Sequence, residues 1–319
     1  MVPGRDSQPA YCCAMTDFPK QVLAEVERSE DLLNGLAGEE INTISIHSDG
    51  PDEAPFLGKI VSKLSPMIGN LIEKKIVSLL HDELSEHGMT WRRQDPGFPD
   101  AVLVDSSGKK TGVGYEVKAW YALSTELTGR FRESVRLLQD GGTRVVIVAW
   151  MLSDLVHGTP VIVDVLTVDA LSVARQRDLH YHSPPTYLCV EPKDTRGRTS
   201  NLQQTNVGGY RLQEVSPGQL KLADKIISGN LGASQEAHTA EAQALSNELR
   251  NQLPYRADTN FAKVDRIDHP DIEAFKKRVL EMEYRGKKLP HWIRILRDLE
   301  NDGQPENQAN AIEAVQAVY

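Results

Sequence analysis

The chain has 319 residues, of which 40% are hydrophobic and 25% charged, and its formal net charge is −9. This composition is typical of a soluble globular protein of roughly two domains, and it excludes fibrous and fully disordered chains. No run of about eighteen apolar residues occurs, and residues 1–20 lack the pattern of a secretory signal, so we expect no membrane contact and a cytoplasmic location. The few cysteines, which predict neither a disulfide framework nor a zinc site, are Cys12, Cys13 and Cys189.

The negative charge is concentrated at one end of the chain. Residues 1–56 contain three basic and eleven acidic residues, whereas residues 100–215 contain thirteen of each. The middle of the chain can therefore present a basic face to a polyanion although the whole chain is acidic. We treat residues 1–56 as an acidic N-terminal segment and look for function in the remainder.

The first half of the chain begins with helices. Apolar residues at helical spacing predict a helix over residues 17–36, and glycine and proline between residues 48 and 55 separate it from the next element. Over residues 57–84, apolar residues recur at intervals of three and four, which predicts an amphipathic helix whose main part begins at Pro66.

The pattern then changes to that of strands. Runs rich in β-branched and aromatic residues predict four strands, over residues 98–104, 113–121, 144–151 and 160–168. Between the second and third strands, residues 124–139 are predicted to be a helix that ends at a glycine pair. This order predicts an α/β core with a central mixed sheet flanked by helices. The region from residue 216 is predicted to be mainly helical, with candidate helices over residues 234–252, 271–282, 290–301 and 306–318.

Residues 98–120, FPDAVLVDSSGKKTGVGYEVKAW, carry the strongest sign of chemistry. They predict two strands joined by a turn over residues 106–112. Because residues two apart on a strand share a face, Glu116 and Lys118 project together. If the strands pair as a hairpin, Asp100 at the start of the first approaches Glu116 near the end of the second. Two carboxylates and an ammonium then lie in one small volume.

Two neighbouring carboxylates repel each other unless a cation compensates for them. A hard ion such as Mg²⁺ would be held by Asp100, Glu116 and the carbonyl of Val117, and it would contact a phosphate oxygen of the substrate. Lys118 would orient or deprotonate the attacking water, so the predicted chemistry is phosphodiester hydrolysis. The alternative is a solvated salt bridge on a hairpin, because acidic-x-Lys triplets also arise by chance.

The Pro99-Asp100 dipeptide and the Glu116-Val117-Lys118 triplet, in this order of elements, resemble the PD-(D/E)xK nuclease superfamily and, within it, the type II restriction endonucleases. The resemblance covers roughly residues 57–170. It implies a restriction-endonuclease-like αβββαβ core in which residues 124–139 form the second helix.

The resemblance also implies functional roles. It implies metal ligation by Asp100 and Glu116, a catalytic role for Lys118, and a supporting role for Glu73 on the first core helix. The activity implied is Mg²⁺-dependent, sequence-specific cleavage of double-stranded DNA. Cutting both strands requires two active sites, so we expect a homodimer.

A polar segment at about residues 175–215 is predicted to be a loop or short-strand layer that recognises DNA. It belongs to a predicted nuclease core of residues 57–215. Arg suits guanine edges and Asn or Gln suits adenine edges, while other basic residues contact phosphates. The candidate DNA-binding residues are Lys193, Arg196, Arg198, Asn201, Gln203, Gln204 and Arg211. The alternative is an ordinary polar surface loop.

Two other functions stay open. One is a repair or junction-cleaving nuclease on the same core, and the other is a catalytically silent DNA-binding module. Histidine chemistry is less well supported, because neither His81 nor the pair His180 and His182 has the further ligands in sequence that a metal site needs. The sequence contains no P-loop and no GxSxG motif.

Overall fold

A computed structural model describes residues 18–82, 88–94, 97–124, 126–131, 138, 142–180, 216–228, 244–245, 248–249, 252, 263–299 and 304–319. Of the N-terminal helices, α1 (Lys20–Asn34) and α3 (Ser65–Asp82) match the predicted helix over residues 17–36 and the main part of the one over residues 57–84. The beginning of the second prediction is instead a separate helix, α2 (Ala54–Ile60), followed by a 3-10 helix at Val61–Leu64. Pro66 lies in the first turn of α3, where a missing N–H costs no helical hydrogen bond. No helix in these ranges combines the length and apolar content that a membrane span requires.

The sheet is mixed, as predicted. Its strands are β1 (Thr90–Arg93), β2 (Ala101–Val104), β3 (Lys110–Tyr121), β4 (Thr143–Asp154) and β5 (His157–Asp169), and they lie side by side in chain order. Only β3 and β4 are parallel, and the other neighbours are antiparallel. β1 was not predicted, because it is a short edge strand whose single large apolar residue, Trp91, is followed by the exposed Arg92 and Arg93.

The helix predicted over residues 124–139 is wrong where the structure describes it, since residues 124 and 126–131 are not helical. The Ser124 hydroxyl makes a local turn by donating to the carbonyls of Tyr121 and Glu126, both at 2.8 Å. Leu127 and Phe131 are buried, and a spacing of four residues places them on one face of an extended segment as well as of a helix. The periodicity therefore did not distinguish the two conformations.

The C-terminal half adds helices to the same body. They are α4 (Ala170–His180), α5 (Pro217–Ser228), α6 (Pro270–Leu280), α7 (Leu289–Leu299) and α8 (Pro305–Gln316), with a 3-10 helix at Val264–Arg266 and a small hairpin of β6 (Glu283–Tyr284) and β7 (Lys287–Lys288). The last three helices were predicted to within two residues at each end. Of the helix predicted over residues 234–252, only 244–245, 248–249 and 252 are described, and they are helical.

The polar segment predicted as a loop layer from residue 175 begins instead within α4. The Asp169 carboxylate accepts from the N–H of Ser172 at 2.7 Å, which caps the first turn of that helix. Polar composition concealed this helix, because much of its stability comes from packing.

Helices cover both faces of the sheet. On one face, α1 reaches β3 through Ser29, whose hydroxyl lies 2.6 Å from that of Tyr115. On the other face, Phe275 of α6 packs against Trp120 with 6.1 Å between ring centroids. The buried apolar residues of α1, the sheet and the C-terminal helices belong to one contiguous core. The acidic N-terminal segment thus packs on the core through its described part.

Candidate active site

The residues predicted for metal binding and catalysis on the two strands, Asp100, Glu116, Val117 and Lys118, lie along an open edge of β3. β2 pairs with β3 only as far as Ala101, opposite Tyr115, whereas β3 continues to Tyr121 with β4 on its other side. A cleft of about 570 Å³ runs beside this edge. One wall is the beginning of α3 with the 3-10 helix before it, and the other is formed from residues 126–131, which we call the cleft strip.

Asp100, the residue immediately before β2, reaches the edge of β3. Ala101 and Tyr115 are the last paired residues of β2 and β3 at this end. Asp100 and Glu116 are the residues next to that pair, as the hairpin prediction required. The N–H of Val117 donates to the Asp100 carboxylate at 2.7 Å. This bond replaces the hydrogen bond that a neighbouring strand would otherwise make with Val117. It fixes the carboxylate against the backbone of the Glu116-Val117-Lys118 triplet.

The position of Asp100 depends on a glycine across the ladder. A Cβ atom on Gly114 would lie 2.2 Å from the Pro99 ring and 2.8 Å from the carbonyl oxygen of Ala101. Any side chain at this position would therefore displace the dipeptide that carries Asp100. This requirement explains the glycine at position 114 of β3.

Lys118 and Glu116 form an ion pair at the cleft. The Lys118 ammonium donates to the Glu116 carboxylate and, at 3.2 Å, to the carbonyl of Val117. The two side chains are only 13% and 15% exposed, so the pair is partly shielded from solvent. The ammonium occupies a position between two of the oxygen ligands that the sequence predicted for a cation.

Glu73 reaches the same cleft from α3, as predicted, but it already has a basic partner. Its Oε1 accepts from both Nε and Nη2 of Arg93, each at 2.9 Å. Arg93 is the last residue of β1, the strand that the sequence did not reveal. The structure therefore places Glu73 at the cleft as the partner of Arg93.

The cleft strip is held in place from behind. The carbonyl of Gly129 accepts from the N–H of Val264 at 2.8 Å, and the carbonyl of Phe131 accepts from the guanidinium of Arg177 at 2.9 Å. Arg177 is only 1% exposed. A Cβ at Gly129 would lie 3.1 Å from the side chain of Lys118, which is a tight contact. The strip thus closes over the stem of Lys118.

The donor set fits a hard divalent cation. Glu116 and the Val117 carbonyl both accept from the Lys118 ammonium, and Asp100 accepts from the N–H of Val117. The two carboxylates and the carbonyl therefore lie along the same stretch of the open edge. Mg²⁺ is typically bound by one or two carboxylates together with substrate phosphates, so a larger protein cage is unnecessary. The described residues contain no group of three or more His, Cys, Asp or Glu side chains placed to bind a metal.

A second grouping of reactive residue types is structural. The Ser172 hydroxyl lies 3.0 Å from Nε2 of His269, while Nδ1 of His269 accepts from the N–H of Asp271 at 3.3 Å. Because Nδ1 is an acceptor, the proton of the neutral ring is on Nε2, so the histidine has no lone pair with which to activate the serine. Burial lowers the pKa of His269, which further favours this neutral form.

The predicted DNA-binding residues, Lys193, Arg196, Arg198, Asn201, Gln203, Gln204 and Arg211, lie outside the described residues. The structure adds site residues that sequence analysis missed, namely Arg93, Gly114, Gly129 and Arg130. Only Gly114 had a readable signal, as a glycine inside a predicted strand.

Comparison with known proteins gave no matching family model, no similar curated protein and no similar solved structure. The functional assignment therefore rests on the geometry of this cleft.

Proposed function

We propose that the chain is a Mg²⁺-dependent DNA endonuclease resembling the type II restriction enzymes, with Asp100, Glu116 and Lys118 as its active site. The observation that carries the proposal is the edge of β3. Glu116, Val117 and Lys118 line an open cleft there, and the Asp100 carboxylate is bonded to the backbone of the same triplet.

Each residue has a defined task. Asp100, Glu116 and the Val117 carbonyl would hold the ion, which would lower the pKa of a water molecule and offset charge on the phosphate. Lys118 would move from its ion pair to orient the attacking water and to stabilise negative charge on the phosphate oxygens. The cleft strip would limit the rotamers of Lys118, because Gly129 lies against its stem.

The test is cleavage of long unmethylated DNA by the purified chain in the presence of Mg²⁺. We expect discrete bands that disappear with EDTA and in Asp100→Ala, and the sequenced ends would then give the recognition sequence. DNA that is cut equally well by Asp100→Ala would contradict the proposal, because the activity would come from another site or a contaminant.

The departures from the family pattern favour keeping one second candidate. The cleft strip is not helical, contrary to the helix expected over the described part of residues 124–139, so the likeness to restriction enzymes is less specific than the likeness of the site residues. The second candidate is a repair or junction-cleaving nuclease on the same core. Cleavage of branched DNA without a preferred sequence would support that candidate. Absence of any cleavage, with DNA binding retained, would favour the silent binding module. The homodimer and the recognition role of residues 175–215 remain predictions.

A further inference from the structure

One residue outside the proposed active site is bonded to the loop that carries Asp100. Gln94 directly follows β1, whose last residue, Arg93, pairs with Ala101 at the beginning of β2. The N–H of Gln94 donates to the carbonyl of Asp100 at 2.8 Å, which extends the pairing of the two strands by one residue. Gln94 is therefore the direct neighbour of Asp100 across the hairpin of β1 and β2.

The side chain of Gln94 folds back over the loop that precedes Asp100. Its amide nitrogen donates to the carbonyl of Phe98 and, at 3.4 Å, to the carbonyl of Pro99. A Cβ atom on Gly97 would lie 2.7 Å from Cγ and 3.2 Å from Nε2 of Gln94, so this side chain lies directly against the loop backbone. With its own N–H included, Gln94 thus bonds to three consecutive carbonyls that end at Asp100.

The donor groups of Gln94, rather than its acceptor, act on the loop. A side-chain amide has two N–H donors, which matches the two loop carbonyls that it contacts. The amide oxygen accepts from the ammonium of Lys110 on β3. Lys110 is exposed, so water can replace this contact when the ammonium is removed.

Gln94 and Gly114 confine the loop from different sides. Gly114 leaves room for the Pro99 ring on the β3 side, whereas Gln94 bonds to the loop from the end of β1. The loop in turn carries the Asp100 carboxylate, which accepts from the N–H of Val117. A carboxylate held in one position before a cation arrives lowers the entropy cost of binding that cation.

We infer that Gln94 is a positioning residue, which sets the affinity of the proposed site for Mg²⁺ by holding the loop of Asp100. This inference rests on the proposed function, since it takes Asp100 as a metal ligand. Gln94 is not among the described residues that line the cleft, so it acts through Asp100 rather than on the substrate. Loss of a residue that orients a metal ligand typically lowers metal affinity by about 10–100-fold.

The test is calorimetric titration of the full chain with Mg²⁺ in the absence of DNA. Gln94→Met keeps the length of the side chain but has no donor, so we expect its Mg²⁺ affinity to fall about 10-fold. In a cleavage assay, the Mg²⁺ concentration that gives half of the maximal rate should rise by the same factor. The rate at saturating Mg²⁺ should stay near that of wild type, because excess Mg²⁺ restores occupancy of the site. Gln94→Asn, whose amide is one methylene shorter, should lose less affinity.

Thr111→Val is the matched control. It removes a side-chain donor to the carbonyl of Leu103, a bond of 3.0 Å at the other end of the β2–β3 pairing from Asp100, and it should bind Mg²⁺ as wild type does. All variants are verified as folded by circular dichroism. Wild-type affinity in every folded Gln94 variant, or an equal loss in Thr111→Val, would overturn the inference and leave the proposed function standing. Failure of wild type to bind Mg²⁺ would instead contradict the proposed function.

Discussion

Strand β3 carries two polar clusters, one on each face, and they differ in how completely their groups are bonded. On the α1 side, the buried carboxylate of Glu25 accepts from the indole N–H of Trp91 at 3.0 Å and from Arg28 at 2.6 Å. Tyr115 completes this cluster by stacking on Trp91, and burial raises the pKa of its phenol. We call this group the closed cluster.

The other cluster begins one residue further along the strand. Glu116 and Lys118 are also paired, but they lie beside a cleft that admits a ligand, and an ion or a phosphate could replace the contacts between them. The comparison teaches that residue type alone does not identify a site. A carboxylate whose donors are all supplied by the fold stabilises the fold, whereas one that faces a cleft is available for chemistry.

The largest expected effect is on catalysis at the open cluster. Lys118→Met keeps the apolar stem but removes the ammonium, so we expect cleavage to slow by about 10²–10⁴-fold, the usual range for losing a group that assists proton transfer. Lys110→Met, at an exposed position on the same strand, is the matched control and should cleave normally. Equal cleavage rates in Lys118→Met and Lys110→Met would contradict the catalytic role that we assign to the open cluster.

Gly114→Ala should damage both the site and the fold. The added methyl group would overlap the Pro99 ring, and we expect a loss of about 1–3 kcal/mol in the free energy of unfolding, measured by urea denaturation, together with slower cleavage. Gly69→Ala is the control for stability. Its Cβ would make an ordinary contact with Ala119 at 3.5 Å, and alanine favours a helix by about 1 kcal/mol over glycine. A Gly114→Ala protein as stable as wild type would show that Pro99 is not confined as the structure indicates.

The closed cluster should respond in the opposite way to the open one. Glu25→Ala leaves the buried indole N–H of Trp91 without its acceptor, so we expect a loss of about 1–3 kcal/mol in unfolding free energy. The rate of cleavage by the folded fraction should be retained. Glu27→Ala, on the exposed face of α1, should leave the unfolding free energy nearly unchanged. A stable Glu25→Ala variant that cannot cleave DNA would reverse the roles assigned to the two faces.

The smallest effect concerns pH and the grouping around His269. Burial places the pKa of His269 in the folded protein below its ordinary value of 6.5, so the unfolded chain takes up the proton first as the pH falls. The free energy of unfolding therefore decreases as the pH falls below about 6.5, and the decrease ends below the pKa of His269 in the folded protein. The loss should be shallower in His269→Gln, which keeps an acceptor for Asp271. Parallel stability curves for the two proteins between pH 7 and 5 would contradict this.

The sequence predicted the local elements well where one period dominated. The intervals of three and four before Leu84 predicted α3, and the β-branched runs predicted four strands, with a hairpin register that brings Asp100 opposite Glu116. Residues that act through distant partners were not predictable. Arg177 on α4 donates to the carbonyl of Phe131 in the cleft strip, 46 residues earlier in the chain. Arg93 binds Glu73 from an edge strand that has a single large apolar residue.

The cleft strip shows why periodicity can mislead. Leu127 and Phe131 are buried as expected, but the backbone of the strip bonds to Val264 and Asp265 rather than to itself. The hydrogen bonds to Val264 and Asp265, more than a hundred residues away along the chain, stabilise a non-helical backbone in the strip. A single sequence contains no local signal for these bonds.

The most direct test of the open cluster is calorimetric titration of the full chain with Mg²⁺, because it requires no knowledge of the DNA sequence that is cut. We predict that wild type binds Mg²⁺ and that Asp100→Asn and Glu116→Gln each lose this binding. Glu25→Gln, on the other face of the sheet and verified as folded by circular dichroism, should bind as wild type does. Binding that persists unchanged in Glu116→Gln would contradict the account.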